Sequence, residues 1–183
     1  MLEIRWHGRG GQGAVTSVEM LARAAIAEGK YAQGFPSFGP ERKGAPVAAF
    51  NRIDDEQIKV RSHIYNPDVV VVLDASLVNL VNVTDGLKKD GILIVNTTKT
   101  PEELRKETKF KGTIATVDAT RIAWDELGVP ITNTTMLGAL IKVLKIIELD
   151  SVNAPLKERF GRIAPKNVAA LKRAYQEVSV NKK

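Results

Sequence analysis

The residues whose spacing carries the most chemistry are Gly8-Arg9-Gly10-Gly11-Gln12-Gly13, which follow the alternating, strand-like Ile4-Arg5-Trp6. After this Gly-x-Gly-x-x-Gly run, Val15, Val18, Leu21, Ala22, Ala25 and Ile26 recur at helical spacing until Gly29. A glycine turn between a strand and a helix lets backbone N–H groups approach a phosphate at the positive end of the helix. Arg9 adds a cation beside those donors. The same glycines also suit a chain that needs only a tight turn beneath a helix, and both readings are open at this point. A self-contained NAD site calls for an acidic residue about twenty positions further on, to hold the ribose. Tyr31-Ala32-Gln33-Gly34-Phe35 supplies none, and Glu28 comes too early.

His7, Asp74, Asn96 and Asp118 fall at the carboxyl ends of segments that read as parallel strands, the edge along which open α/β sheets bind ligands. A plainer role exists for three of them. Asp74 with Ser76, Asn96 with Thr98, and Asp118 with Thr120 suit caps of the helices that follow. Residues 34–46 hold three glycines and three prolines, so they form a loop. That loop carries Glu41-Arg42-Lys43 and the aromatics Phe35 and Phe38, either as a solvated turn or as a surface for a partner or an anionic substrate. There is no cysteine, which excludes a thiolate nucleophile, a disulfide and an iron–sulfur cluster held by this chain alone. The only histidines are His7 and His63, too few for a histidine-based metal site. No Ser-His-Asp order, paired metal carboxylates or phosphate-loop lysine is present. The chain therefore carries no catalytic engine of its own. Its candidate binding residues are Gly8, Arg9, Gly10, Gly11, Gln12, Gly13, Arg42 and Lys43.

The elements that must position these residues are legible in the hydrophobic pattern. Pro67–Asp74, Gly91–Asn96 and Thr113–Asp118 are continuous apolar runs ending in a polar residue, as strands covered on both faces require. Helical segments Ser76–Val83, Pro101–Thr108 and Thr120–Leu127 separate them. The alternation predicts a layered α/β fold with a central, mostly parallel sheet and right-handed crossovers. Val47–Ile53 and Gln57–Ile64, around Asp54-Asp55-Glu56, predict an additional antiparallel hairpin. Asn133-Thr134-Thr135 reads as a helix start, and Met136–Ile147 is apolar almost all round, so that helix is expected to be buried. Beyond Gly161 and Pro165, a last helix places Val168, Leu171, Tyr175 and Val178 on one face.

The 183 residues suit a single domain, and the net charge of +6 is unevenly placed. Residues 1–141 hold 17 basic and 17 acidic side chains, whereas residues 142–183 hold 10 and 4. The basic helical region 151–183, with Lys166, Lys172 and Arg173, is either a solvated face or a dock for an acidic partner. An aromatic content of 5% and a neutral body argue against nucleic acid as a partner. The absence of a long apolar stretch or a signal-like start leads us to expect no membrane association and a cytoplasmic location.

As a set, the motifs are familiar. Ile4 to Gly13, Phe38-Gly39-Pro40-Glu41-Arg42-Lys43-Gly44-Ala45-Pro46, Asn66-Pro67-Asp68, and Asn133-Thr134-Thr135-Met136-Leu137-Gly138-Ala139 resemble the gamma subunit of 2-oxoacid:ferredoxin oxidoreductases. The resemblance is nearest to the pyruvate:ferredoxin oxidoreductase (pyruvate synthase) type. It implies oxidative decarboxylation of a 2-oxoacid with coenzyme A, giving acyl-CoA, CO2 and reduced ferredoxin. It further implies thiamine diphosphate and iron–sulfur clusters on partner subunits, with alpha, beta and delta chains completing a heterotetramer and ferredoxin as electron acceptor. The glycine run and the Arg42-Lys43 loop then become candidate contacts for coenzyme A or for other subunits. A non-catalytic assembly subunit and a free-standing nucleotide-dependent oxidoreductase are the alternatives. The missing ribose carboxylate disfavours the second of these.

Overall fold

The computed structural model describes residues 1–37 and 43–181. Among these residues seven strands form one sheet: β1 (Leu2–Arg9), β2 (Tyr31–Pro36), β3 (Pro46–Asp54), β4 (Val69–Val72), β5 (Ile92–Asn96), β6 (Thr113–Val117) and β7 (Ser179–Asn181). Their spatial order is β2-β3-β1-β4-β5-β6-β7. β1, β4, β5 and β6 run parallel, as the continuous apolar runs require, and β3 pairs antiparallel with both β1 and β2. β7, which no pattern in the sequence announces, closes the far edge antiparallel to β6.

The helices are α1 (Ala14–Ala27), α2 (Leu77–Leu80), α3 (Pro101–Thr108), α4 (Ala119–Leu127), α5 (Asn133–Leu144), α6 (Asn153–Phe160) and α7 (Ala164–Glu177). α3 begins with a reciprocal capping box between Thr100 and Glu103, with Pro101 at its first position. α5 is buried almost throughout, as its all-round apolar sequence predicts, and ends where Lys145 turns left-handed. The expected Ser76–Val83 helix shrinks to the single turn α2. Its continuation, Val-Asn-Val-Thr, consists of poor helix formers, and Val81 is already extended.

The antiparallel part of the sheet is not the expected hairpin of Val47–Ile53 with Gln57–Ile64. β3 pairs with β1 along one edge and with β2 along the other, so no backbone edge of β3 remains for residues 57–64. That segment crosses the sheet face instead. Its Ser62 carbonyl accepts a hydrogen bond from Arg52 at 2.7 Å, and its Ile58 carbonyl accepts one from Gln33 at 3.5 Å.

Two cores result. Trp6, Val71, Leu73 and Ile94 pack beneath α1, α5 and α7, while Val70, Val72, Leu93 and Val95 pack on the opposite face with Leu77 of α2 and Leu104 of α3. Each fully buried aliphatic side chain contributes about 1.5–3 kcal/mol relative to exposure. The arrangement has a functional consequence. The chain leaves β1 toward one face, through α1, and leaves the adjacent parallel strand β4 toward the other, through α2. This is the topological switch point at which open α/β sheets form a crevice. No helix among the described residues is long and apolar enough to cross a membrane.

Candidate functional site

The crevice lies between the glycine turn after β1 and the Asp74–Ser76 turn after β4. Gly13 occupies the position just before α1 with φ +84°, and a Cβ there would lie 2.6 Å from Asn133 Nδ2. Only glycine lets the start of α1 abut the start of α5. The turn is closed on itself, with Gln12 N donating to the Arg9 carbonyl at 2.9 Å and Arg9 N donating to Gln12 Oε1 at 2.8 Å.

Arg9 crosses the crevice. Its Nε lies 3.1 Å from Asp74 Oδ2, and its two terminal nitrogens donate to Ser76 Oγ at 2.8 Å and to the Gly44 carbonyl at 3.0 Å. Gln12 Nε2 donates to the same Asp74 oxygen at 2.9 Å, and Ser76 donates to Oδ1 through its backbone N–H and its hydroxyl. Partial burial pushes the Asp74 carboxyl up, but the hydrogen bonds from Ser76 and Gln12 and the Arg9 charge outweigh it and hold the group below the ordinary carboxylate range. The loop expected over 34–46 is shorter, because Gly34, Phe35 and Pro36 pair with β3 as the end of β2 and Pro46 begins β3. Its last residues are rooted on this turn, since Gly10 N donates to the Ala45 carbonyl and Gly44 N donates to the Gly10 carbonyl. Lys43, beside this root, is exposed. Arg42, Phe38 and Glu41 lie outside the described residues.

A cleft of about 520 Å³, floored in part by Leu73, Ala75 and Pro130, continues from Gln12 and Asp74 along the carboxyl ends of β5 and β6 to Asn96, Thr98, Asp118 and Thr120. The sequence therefore places Asp74, Asn96 and Asp118 on one edge correctly, but of the expected capping roles only that of Asp118 is found: Asp74 accepts from Ser76, and α2 starts without a side-chain cap. Asp118 Oδ1 accepts from Arg121 N at 3.0 Å and caps α4. Asn96 does not cap the helix that follows it. It reaches sideways, accepting from Thr120 N and donating to the Leu73 carbonyl and Thr120 Oγ1.

His7 is not at the cleft edge. It sits within β1, on the opposite sheet face from Trp6, with Nε2 buried and unpartnered. Burial, reinforced by the nearby Arg5 charge, lowers its pKa to about 4. An unfolded histidine titrates near 6.5, so acid stabilises the unfolded chain first. The His7 contribution to stability is expected to fall between pH 6.5 and 4 and to level off below. Urea midpoints at pH 7 and 4.5 measure the drop, which His7→Gln should reduce.

The described residues contain no group of three or more His, Cys, Asp or Glu able to hold a metal ion. Comparison with known proteins decides the affiliation. Residues 3–177 match the sequence profile of the pyruvate ferredoxin/flavodoxin oxidoreductase family. The chain belongs to that family. Among its relatives, the common gamma subunit of the pyruvate/ketoisovalerate oxidoreductases of Thermococcus litoralis is 54% identical over 182 residues, covering 98% of both chains. The crystal structure of pyruvate oxidoreductase subunit PORC from Thermotoga maritima superposes with a TM-score of 0.89 at 47% identity, covering 99% of this chain and 98% of that one. The fold also recurs, at 21% identity and a TM-score of 0.77, across 30% of a longer chain. That chain comes from the 2-oxoglutarate:ferredoxin oxidoreductase of Magnetococcus marinus, solved with 2-oxoglutarate, coenzyme A and succinyl-CoA bound.

For a member of the pyruvate ferredoxin/flavodoxin oxidoreductase family, the donor set here is informative: without cysteine, this chain does not fit an iron–sulfur cluster. The Asn133–Ala139 motif proves architectural. Asn133 packs under Gly13, Thr134 Oγ1 lies 2.9 Å from Asn167 Oδ1, and Gly138 faces the backbone of α7. In the basic C-terminal region, Arg173 is held by Glu177, Glu126 and Asp125, and Lys172 lies 3.5 Å from Asp150. Sequence reasoning missed Ser76 as an Arg9 ligand, because nothing local signals a contact 67 residues away.

Proposed function

We propose that this chain is the gamma subunit of a cytoplasmic, pyruvate-type 2-oxoacid:ferredoxin oxidoreductase, and that its switch-point crevice receives coenzyme A. In this reading, alpha, beta and delta subunits hold thiamine diphosphate and the iron–sulfur clusters. The C1–C2 bond of the 2-oxoacid breaks to release CO2, the acyl group passes to the coenzyme A sulfur, and the released electrons reach ferredoxin. Kinship with gamma subunits over nearly the whole chain supports the enzyme assignment. The crevice itself carries the coenzyme A reading. It joins a helix N-terminus, whose first N–H groups lack intrahelical partners, to the guanidinium of Arg9 and the exposed Lys43.

This chain's residues then have distinct tasks. Asp74 orients Arg9, while Gln12 and Ser76 keep the carboxylate satisfied when a phosphate oxygen replaces one of the guanidinium's present acceptors. Gly13 lets the start of α1 abut Asn133 of α5 and so fixes where the helix start lies. In the assembled enzyme, Arg9→Ala is expected to raise the KM for coenzyme A by roughly tenfold or more, the loss of one charge-assisted hydrogen bond, while the KM for the 2-oxoacid stays unchanged. Ferredoxin- or viologen-linked assays read both. An unaltered coenzyme A KM sinks the binding role. The network's internal completeness favours a second reading, in which the turn serves assembly alone. Arg9→Ala would then lower the yield of complex and leave the KM untouched.

A further inference from the structure

The two sheet faces are not equally covered. The α1 face is packed along its length, and β4–β6 are covered on the other face by α2 and α3. Over β2, β3 and β1 that second face carries no helix among the described residues; the irregular segment 55–67 lies across it, and residues 83–86 reach Arg5 and Tyr65 at its β1 side. An aromatic row runs across it. Phe35 and Phe50 have ring centroids 5.4 Å apart, His63 meets Phe50 edge-on at 5.8 Å, and Tyr65 meets His63 at 6.4 Å. Tyr65 is 71% exposed and Val60 41%.

Beyond the exposed Asp55 and Glu56 at its start, the crossing segment carries charge of one sign. Residues 57–65 contain Lys59, Arg61 and no carboxylate, and Lys59, Arg61 and His63 are all exposed. Beneath them the face holds cations whose charge is already engaged: Arg52 pairs with Glu3 at 2.8 Å, and Arg5 donates to the Val83 and Asp85 carbonyls. Buried His7 Nε2 on the same face has no partner. Exposed tyrosine and arginine around the half-buried Phe35 and buried Phe50 is the composition of an interface centre, not of a solvated surface. The absence of acidic side chains from residues 57–65 selects a partner that brings them.

We propose that this open face, centred on Phe50, His63 and Tyr65 and rimmed by Lys59 and Arg61, docks an acidic-rimmed surface of another protein subunit of the oxidoreductase. The inference rests on the reading of the chain as one subunit of a larger enzyme. The test is co-purification from cells producing all subunits, with the affinity tag on a different subunit. Tyr65→Glu combined with Arg61→Glu reduces recovery of this chain at least tenfold at an unchanged melting temperature. The milder pair Lys59→Glu and Arg61→Glu gives a smaller loss. Tyr65→Phe, and Lys111→Glu at an exposed cation beside β6, leave recovery intact. Full recovery of both charge-reversed variants overturns the docking face while leaving the subunit reading in place. Failure of the wild-type chain to co-purify overturns that reading and the inference with it. If size-exclusion chromatography instead shows the isolated chain to be a dimer that Tyr65→Glu splits, the face belongs to a second copy and the inference is wrong.

Discussion

Gly138→Ala is expected to destabilise the chain by about 3 kcal/mol, a fall of roughly 6–12 °C in melting temperature for a domain of this size. Helix propensity alone predicts the opposite. Gly138 lies inside α5, where alanine is favoured over glycine by about 1 kcal/mol. Packing wins because α7 crosses so closely that a Cβ on Gly138 would be driven into the Leu171 carbonyl. The obstacle is backbone, so no rotamer change relieves it. α5 is buried along nearly all of its length and has no free direction in which to retreat. Thermal melts monitored by circular dichroism decide the matter. A stabilised Gly138→Ala variant would show that α5 and α7 sit further apart than the structure places them.

The second large effect concerns Asn51, fully buried on β3. Its Oδ1 accepts from the Trp6 indole N–H at 2.9 Å, and its Nδ2 donates to the Val18 carbonyl at 2.8 Å and the Gln33 carbonyl at 3.2 Å. One side chain thus joins β1, α1 and β2 to β3. Asn51→Leu keeps much of the volume but leaves the buried indole N–H without an acceptor. A penalty of about 2–4 kcal/mol follows, since a buried unsatisfied group carries about 1–3 kcal/mol and further bonds are lost with it. Trp6→Phe removes the orphaned donor, so the double variant is expected to be more stable than the sum of the single losses by about 1 kcal/mol or more. Strict additivity in urea denaturation would refute the coupling.

These two sites show where reading the sequence succeeds and where it stops. The strand from Ile4, the glycine turn and the helix from Ala14 are adjacent in the chain and obey local periodicities, so their order was legible. So were β4, β5 and β6, because strands covered on both faces must be continuously apolar, and so was the boundary of α3, set by Pro101. The hairpin of residues 47–64 failed for a reason no local pattern contains. An earlier strand, β2, had already taken the free edge of β3. Asn133-Thr134-Thr135 read as a helix start, and its packing under Gly13 emerges only when α1 and α5 are brought together.

By itself, the sequence determined the α/β class, the glycine turn between a strand and a helix, and the impossibility of a thiolate-bound cluster. The last follows from composition and the others from periodicity, and both are local. Tertiary structure decided what the turn faces. Hydrogen-bond pairing placed β4 beside β1 and sent α1 and α2 to opposite faces, bringing Asp74 across 65 residues of chain to Arg9. The absent ribose carboxylate was a statement about spacing along the chain. The carboxylate that actually lines the crevice arrives from a strand chosen by competition among sheet edges and by burial of both faces, and these act over the whole molecule rather than along it.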